Sequence, residues 1–259
     1  MATPALAVET PTAVKRPGGL LSVADVVNET DVHVALGVTY ASEGICGVAQ
    51  QTPDQCLVPS DSLAISTDPK TFTGFDDVVS VPLSVYRGIE CFLGSEDYSA
   101  VARRALEFSA GAGVEAQFQT LVLNNATPEN TAATPYSVAV ALGVVERVLA
   151  ETYGGVGIVH VPLGALNLLV SADLLSLNLD GTWTTANGNR VAAGAGYSPD
   201  LPSPYFPIWA TPMVHLYPGQ PIVTTGQNLT INTQAALAEQ TFHATIDCDI
   251  VALAFASAS

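Results

Sequence analysis

The most regular pattern of apolar and polar residues in this chain lies between residues 95 and 123. Apolar side chains recur there every three or four residues, which is the spacing of one face of an α-helix. The stripe is formed by Val101, Ala105, Phe108, Ala112 and Gln119, with Phe118 and Val122 beside it. Ser95 is suited to cap the first turn, and Glu96 and Asp97 complement the helix dipole. The pattern predicts one helix of roughly 40 Å.

Two glycines and one carboxylate complicate this helix. Gly111 and Gly113 each cost about 1 kcal/mol in a helix interior. The helix is therefore expected to depend on tertiary packing or to bend there. Glu115 lies at the edge of the apolar stripe, where an unpaired buried carboxylate would be costly. Glu115 is expected either to have a partner across a contact or to lie at the rim of a tilted helix.

Shorter patterns predict further helices and strands downstream. The predicted elements are a helix over 136–153, a buried strand over 157–161, a helix over 162–177, a hairpin of 182–186 and 190–193, strands over 208–216 and 222–231, and a strand within 239–255. Asn187-Gly188 is the turn signal of the hairpin. The helix at 162–177 begins at a proline, which is tolerated in that position. Because helices and strands do not alternate regularly, the order predicts an α+β fold.

Two stretches near the start of the chain, residues 1–20 and 37–82, do not have the pattern of a regular helix. Residues 1–20 hold three prolines and two glycines, which indicates an extended arm. Residues 37–82 hold four prolines and many Ser and Thr residues, with only short β-prone runs. A segment of this length without helix is unusual inside a compact domain. We expect it to project and to pack on a partner chain.

Composition favours association and disfavours nucleic-acid wrapping. Of the 259 residues, 48% are hydrophobic and only 12% are charged, against a usual charged share of about 25%. Neutral surface of this kind is typical of interface cores, although abundant small polar residues would also lower the charge. The net charge is −16 with eight basic residues, so no basic patch for phosphate binding is expected. Neither a membrane span nor a signal peptide is apparent, and synthesis in the cytoplasm is expected.

The residues that could carry chemistry form no recognisable site. The four histidines never lie three or four residues apart, so no helical metal pair exists. His160, in an apolar strand, is expected to be a satisfied core or interface histidine. His243 with Asp247 and Asp249 could bind a cation, but outward polar positions explain them better. No catalytic or cofactor-binding residue, metal or cofactor is predicted, and an enzyme is the weaker hypothesis.

The four cysteines, Cys46, Cys56, Cys91 and Cys248, are too few for a disulfide scaffold. Buried thiols are the first interpretation. A metal site or a disulfide between Cys46 and Cys56 is the alternative.

Several short runs resemble the major capsid proteins of actinobacterial tailed phages. The spine-helix region of that family is similar to VYRGIEC at 85–91, ARRALE at 102–107 and VE at 114–115. Its loop region is similar to GVTY at 37–40 with Cys46 and Cys56. Further similar runs are GIVHVP at 157–162, GAGY at 194–197 and the residues 239–248. The likeness extends over roughly residues 20–255, and the order of the runs carries it.

The resemblance implies the Hong Kong ninety-seven capsid fold, with an N-terminal arm, an extended E-loop, a peripheral domain carrying the long spine helix, and an axial domain. The expected ranges are an arm at 1–35, the E-loop at 36–82, the peripheral domain with its spine helix at 83–135, the axial domain at 136–235 and the peripheral return strand at 236–259. The implied function is a major capsid protein that assembles into hexamers and pentamers of an icosahedral phage head around double-stranded DNA, without sequence-specific binding.

The residues expected at contacts between subunits are Lys70, Arg87, Arg103, Arg104 and Glu115. Lys70 is also the only lysine available in the E-loop for the isopeptide crosslink that some members form. Because no long charged helical segment precedes the arm, a separate scaffolding protein is expected, and a decoration protein is a further candidate partner. Assembly would occur in the host cytoplasm, and the protein would reside in the virion. The alternatives are a decoration or head–tail protein, an encapsulin-like shell protein, or a soluble hydrolase.

Overall fold

The computed structural model of the chain describes residues 14–29, 32–41, 46, 77–92, 97–198 and 205–257. The α-helices are α1 (Leu20–Val23), α2 (Tyr98–Leu121), α3 (Val138–Thr152) and α4 (Leu166–Ser171). Short 3-10 helices cover Val32–Leu36, Leu123–Asn125 and Leu163–Ala165. None of these described helices combines the length and the apolar character needed to cross a membrane.

The described strands are β1 (Asp25–Val26), β2 (Thr39–Ala41), β3 (Asp77–Val79), β4 (Val81–Phe92), β5 (Tyr136–Ser137), β6 (Ile158–Pro162), β7 (Leu175–Leu177), β8 (Trp183–Thr185), β9 (Arg190–Gly194), β10 (Tyr205–Thr211), β11 (Val214–Pro218), β12 (Ile222–Asn228), β13 (Thr233–Ile246) and β14 (Ala252–Ser257). They form a five-stranded sheet, a seven-stranded sheet and the separate pair β2–β3.

The long strand β13 organises the five-stranded sheet. One edge of β13 pairs antiparallel with β4 over residues 233–244. Its other edge pairs with β12 and then with β11, and β1 adds to β11 in parallel. Helix α2 packs on this sheet, and together they enclose the first of two hydrophobic cores.

Helix α2 exists as the sequence predicted, but it buries a different face. Its N-cap is Asp97, whose carboxylate accepts the N–H groups of Ser99 and Ala100 at 3.0 and 3.2 Å. The predicted cap Ser95 lies outside the described residues. The buried residues are Tyr98, Ala102, Leu106, Ala110, Val114, Glu115, Phe118 and Gln119. The predicted stripe was wrong in register, because Val101 and Phe108 remain 43% and 41% exposed.

The two glycines of α2 serve packing, since the helix runs unbroken through both. A Cβ atom at Gly113 would lie 2.7 Å from Cγ1 of Val85 on β4. No real Cβ atom is found that close to a carbon, so glycine at 113 lets the helix approach the strand. Gln117, one turn further on, holds the end of the same strand: its side-chain oxygen accepts the N–H of Ser84 at 2.9 Å, and its amide donates to the Ser84 carbonyl.

The seven-stranded sheet follows the order β5-β14-β10-β6-β9-β8-β7. Strand β6 is buried at every position and lies between antiparallel β10 and parallel β9. Helices α3 and α4 pack beside this sheet over the second hydrophobic core. Ser137 caps α3 by accepting the N–H of Val140 at 3.4 Å. The predicted hairpin at 182–193 is confirmed as β8 and β9.

Three predicted elements were too long. The helix expected over 162–177 is a 3-10 turn followed by α4 and then β7. The strand expected over 208–216 is split into β10 and β11, which belong to different sheets. The strand expected within 239–255 is split likewise: β13 lies in the five-stranded sheet, and β14 pairs with β10 in the seven-stranded sheet. The chain therefore crosses between the two sheets twice in its last fifty residues.

The antiparallel pair β2–β3 closes the base of the long segment predicted to project. Thr39 pairs with Val79, and Tyr40 pairs with Val78. Ser80, directly after β3, accepts the N–H of Val38 on its hydroxyl at 2.8 Å and bonds the Nδ1 atom of His243 at 3.2 Å. The two ends of the segment are thereby held against β13.

Candidate functional site

A buried carboxylate on α2 joins three parts of the chain. Glu115 is 3% exposed. Its Oε1 atom accepts the N–H of Leu20 at 3.0 Å, and its Oε2 atom accepts the N–H of Gly196 at 2.9 Å. Burial raises the pKa of Glu115, while these backbone donors oppose the shift. We call this arrangement the Glu115 clamp, and it ties α1 and the turn after β9 to α2.

Small residues make the Glu115 clamp possible. A Cβ atom at Gly194 would lie 2.7 Å from the carboxyl carbon of Glu115, and one at Gly19 would overlap the Oε1 atom. A Cβ atom at Gly196 would overlap the carbonyl oxygen of Ala112. Glycine at these three positions lets the backbone reach the carboxylate.

The clamp bears on one predicted contact residue. The expectation that Glu115 has a polar partner is confirmed, and the partners are backbone groups of the same chain. Within the single chain Glu115 is 3% exposed, and its part in a contact between subunits stays a prediction.

A second carboxylate organises the base of the segment predicted to project. Asp247 follows β13, and its Oδ1 atom accepts the hydroxyl of Tyr40 at 3.0 Å. Its Oδ2 atom accepts the hydroxyl of Tyr153 at 3.0 Å. The Nε2 atom of His215 lies 3.0 Å from Oδ1, and the Nδ1 atom of the same ring lies 3.1 Å from Asp25. We call these five residues the Asp247 clamp.

The chemistry of the Asp247 clamp is that of a hydrogen-bonded anchor. Each ring nitrogen of His215 faces a carboxylate oxygen, which is a hydrogen-bond acceptor. Burial, followed by the bond to Asp247, raises the pKa of Tyr153 to about 12 and the pKa of Tyr40 still further. Both phenols therefore stay protonated and keep donating at physiological pH.

A disulfide lies beside this clamp and joins residues 202 positions apart in the sequence. Cys46 is bonded to Cys248, which directly follows Asp247, and their Cα atoms are 5.8 Å apart. The interpretation of buried thiols is wrong for this pair, and so is a pairing of Cys46 with Cys56. Cys56 itself lies outside the described residues, and Cys91 is a free, exposed thiol.

The other residues considered for chemistry have structural roles. His160 is fully buried; its Nδ1 atom lies 2.8 Å from the Tyr197 hydroxyl, and its Nε2 atom lies 2.9 Å from the Thr211 hydroxyl. Burial lowers the pKa of His160 to about 3, so it is a neutral core histidine, as predicted. His243 is 4% exposed, which contradicts its interpretation as an outward polar residue. Within the described ranges, no three His, Cys, Asp or Glu side chains are grouped to hold a metal.

One buried carboxylate was missed by the sequence interpretation. Glu146 on α3 accepts the Thr185 hydroxyl and the side-chain amides of Asn187 and Asn189, the two amides at 2.8 Å each. It anchors the turn of the β8–β9 hairpin to α3. The available signal was its position, since Glu146 lies four residues after Leu142 and therefore on the same buried face of α3.

The three predicted arginines lie on the surface of the α2–β4 layer. Arg87 on β4 and Arg103 and Arg104 on α2 are exposed. A groove of about 570 Å³ beside the two helical arginines is lined by Asp97, Ser99, Ala100, Arg103, Arg104, Glu107 and Phe108. Lys70 lies outside the described residues.

Comparison with known proteins gives structural matches only. No protein-family model and no curated protein sequence matches the chain. The capsid of a native GTA particle shares its fold with a TM-score of 0.55 at 10% identity, over 99% of this chain and 95% of that chain. The capsid of an empty GTA particle gives a TM-score of 0.51 at 13% identity, over 99% and 95%. This likeness confirms the predicted α+β, Hong Kong ninety-seven-like capsid fold.

Proposed function

We propose that this chain is a major capsid protein that assembles into the shell of a phage head. The observation that carries the proposal is the shared fold with the GTA capsids over nearly the whole of both chains. The buried carboxylates and histidines described above are all engaged in structural bonds. The proposed shell consists of hexamers and pentamers and encloses double-stranded DNA. A separate scaffolding protein would assist its assembly, and a decoration protein could bind to it.

The surface supports association between copies. Apolar side chains remain exposed on helices and strands of both sheets. Among the described large apolar residues, the largest exposed fractions are those of Leu179, Val14, Leu36, Leu229 and Tyr86. The low charged share of 12% fits the same use, because interface cores are depleted of charge. The chain would be stabilised by its neighbours as well as by its own core.

The proposed division into parts follows the ranges given above, with two adjustments. Strands β11 and β12, within 136–235, go to the peripheral domain because they pair with β13. The spine helix is α2 and lies on the five-stranded sheet, which forms the peripheral domain. The seven-stranded sheet with α3 forms the axial domain. Strand β14 goes to the axial domain, because it pairs with β10 and not with β13.

The proposed contact residues are Arg87, Arg103 and Arg104, with Lys70 as a contact or crosslinking residue of the E-loop. An exposed arginine beside an apolar residue such as Phe108 can bind a carboxylate and pack on a neighbour at once. In a chain with 24 acidic and eight basic residues, acidic surface on a neighbouring copy is abundant.

Electron microscopy of the expressed chain, alone and with the products of neighbouring genes, tests this function. Closed shells are expected. The double variant R103Q/R104Q should reduce shell yield by at least tenfold while circular dichroism stays unchanged. The matched control is R147Q, an exposed arginine on α3 whose ion pair to Glu151 lies within the chain. A folded wild-type monomer under all assembly conditions would overturn the proposal.

A further inference from the structure

Contacts other than the disulfide bond also hold its two cysteines close together. Cys46 forms a β-bridge with Tyr153, whose hydroxyl bonds Asp247. Tyr40, on the strand just before Cys46, bonds the same carboxylate. Because Asp247 directly precedes Cys248, the hydrogen bonds of the Asp247 clamp bring the two cysteine backbones together. Their Cα separation of 5.8 Å lies within the usual range for a bridge.

The two sulfur atoms differ in access. Cys248 is 4% exposed, whereas Cys46 is half-buried. A small reagent in solution therefore reaches Cys46 more readily than Cys248. In the reduced chain this geometry would leave one accessible thiol with a shielded partner next to it, which is the arrangement that favours stepwise closure.

We propose that Cys46 and Cys248 form an oxidative lock, which closes after folding by exchange with a low-molecular-weight disulfide such as oxidised glutathione. The Cys46 thiolate attacks one sulfur of the reagent, forms a mixed disulfide and releases one thiolate. The Cys248 thiolate then attacks the Cys46 sulfur, forms the Cys46–Cys248 bond and releases the second thiolate. The two cysteine protons end on the released thiols, so the pair is oxidised by two electrons and the reagent is reduced to two thiols.

The lock fastens the base of the segment that follows Cys46 to the end of β13. A reducing cytoplasm keeps such cysteines in the thiol form, and an oxidising environment outside the cell favours the disulfide. The chain would therefore be more tightly held outside the cell than where it is made. The consequence for a shell rests on the proposed function, whereas the lock itself is a property of the single chain.

The pairing is tested on the purified full-length chain incubated with oxidised glutathione. Peptide mapping should find Cys46 linked to Cys248, with Cys56 and Cys91 still open to alkylation. Adding a reductant should lower the melting temperature by roughly 10 °C. C46S and C248A should melt at the lower temperature in either buffer, and C91S should behave as the wild type. A disulfide between Cys46 and Cys56, or a melting temperature that does not change when the reductant is added, would overturn the proposal of the lock.

The positioning role of the Asp247 clamp is tested by the rate of closure. In D247N one acceptor oxygen is replaced by an amide, so Tyr40 and Tyr153 hold Cys46 less firmly. Closure at a fixed concentration of oxidised glutathione should slow at least threefold, while E151Q, which changes an exposed carboxylate on α3, leaves it unchanged. An unchanged rate in D247N would refute the role of the clamp. If the chain responds to oxidation and reduction as expected but forms no shells, the result counts against the proposed function and not against the lock.

Discussion

Replacing Gly113 with alanine places a methyl group between the long helix and strand β4. The intrinsic preference of alanine for helix favours the variant by about 1 kcal/mol. The new Cβ atom would lie 2.7 Å from Cγ1 of Val85. Val85 is 8% exposed and β-branched, so its side chain cannot rotate away freely. Overpacking of this kind costs about 1–3 kcal/mol, and G113A should be neutral to destabilising by about 2 kcal/mol.

Gly111, two residues earlier in the same helix, is the matched control. The nearest neighbour of a Cβ atom there is Cδ1 of Leu21 at 3.9 Å, which is an ordinary contact. G111A should therefore gain the helix preference of about 1 kcal/mol without a clash. The two variants should differ by about 1–3 kcal/mol, although both exchange a helical glycine for alanine.

The assay is urea unfolding of the unassembled chain at one protein concentration, because association would shift the apparent free energy of unfolding. Both variants and the wild type are compared in the same oxidation state of the disulfide. Equal stabilisation of G111A and G113A would refute the close packing of the helix on Val85.

Two further predictions concern buried titratable groups. His160, with a pKa lowered to about 3, takes up no proton until well below the pKa of an unfolded histidine near 6.5. The unfolded chain therefore binds more protons between pH 6.5 and 3, and stability falls as the pH falls through that window, by on the order of 4 kcal/mol. In urea unfolding at several pH values, the free energy of unfolding should depend less steeply on pH in H160Q than in the wild type. The same pH dependence in both would contradict the burial of His160. E146Q should destabilise the chain by about 1–3 kcal/mol, because an amide replaces an acceptor facing two or more donors. E151Q, at an exposed position, should change the free energy of unfolding by less than about 1 kcal/mol. If thermal unfolding shows that E151Q destabilises the chain more than E146Q does, the anchoring role of Glu146 is refuted.

The sequence determined that a long helix lies near residues 95–123, because helical spacing and capping residues are local properties. It could not choose the buried face. Apolar residues occur on both sides of α2, and the buried side is built largely from small residues such as Ala102 and Ala110 beside Leu106. Val101 and Phe108 suggested the opposite side and remain exposed. Only the position of the sheet decides which side is covered.

The same limit applies to the final strands and to the cysteines. A period-two pattern is the same for one long strand as for two short ones, so the split into β13 and β14 follows from which sheet each half joins. Cys46 and Cys248 are 202 residues apart, and no spacing in the sequence pairs them. The chain by itself determined the kinds of element, the low charge and the capsid-like order of its motifs. The tertiary structure alone decided how the two carboxylates, Glu115 and Asp247, and the disulfide join distant segments, because such contacts depend on the packing of both sheets.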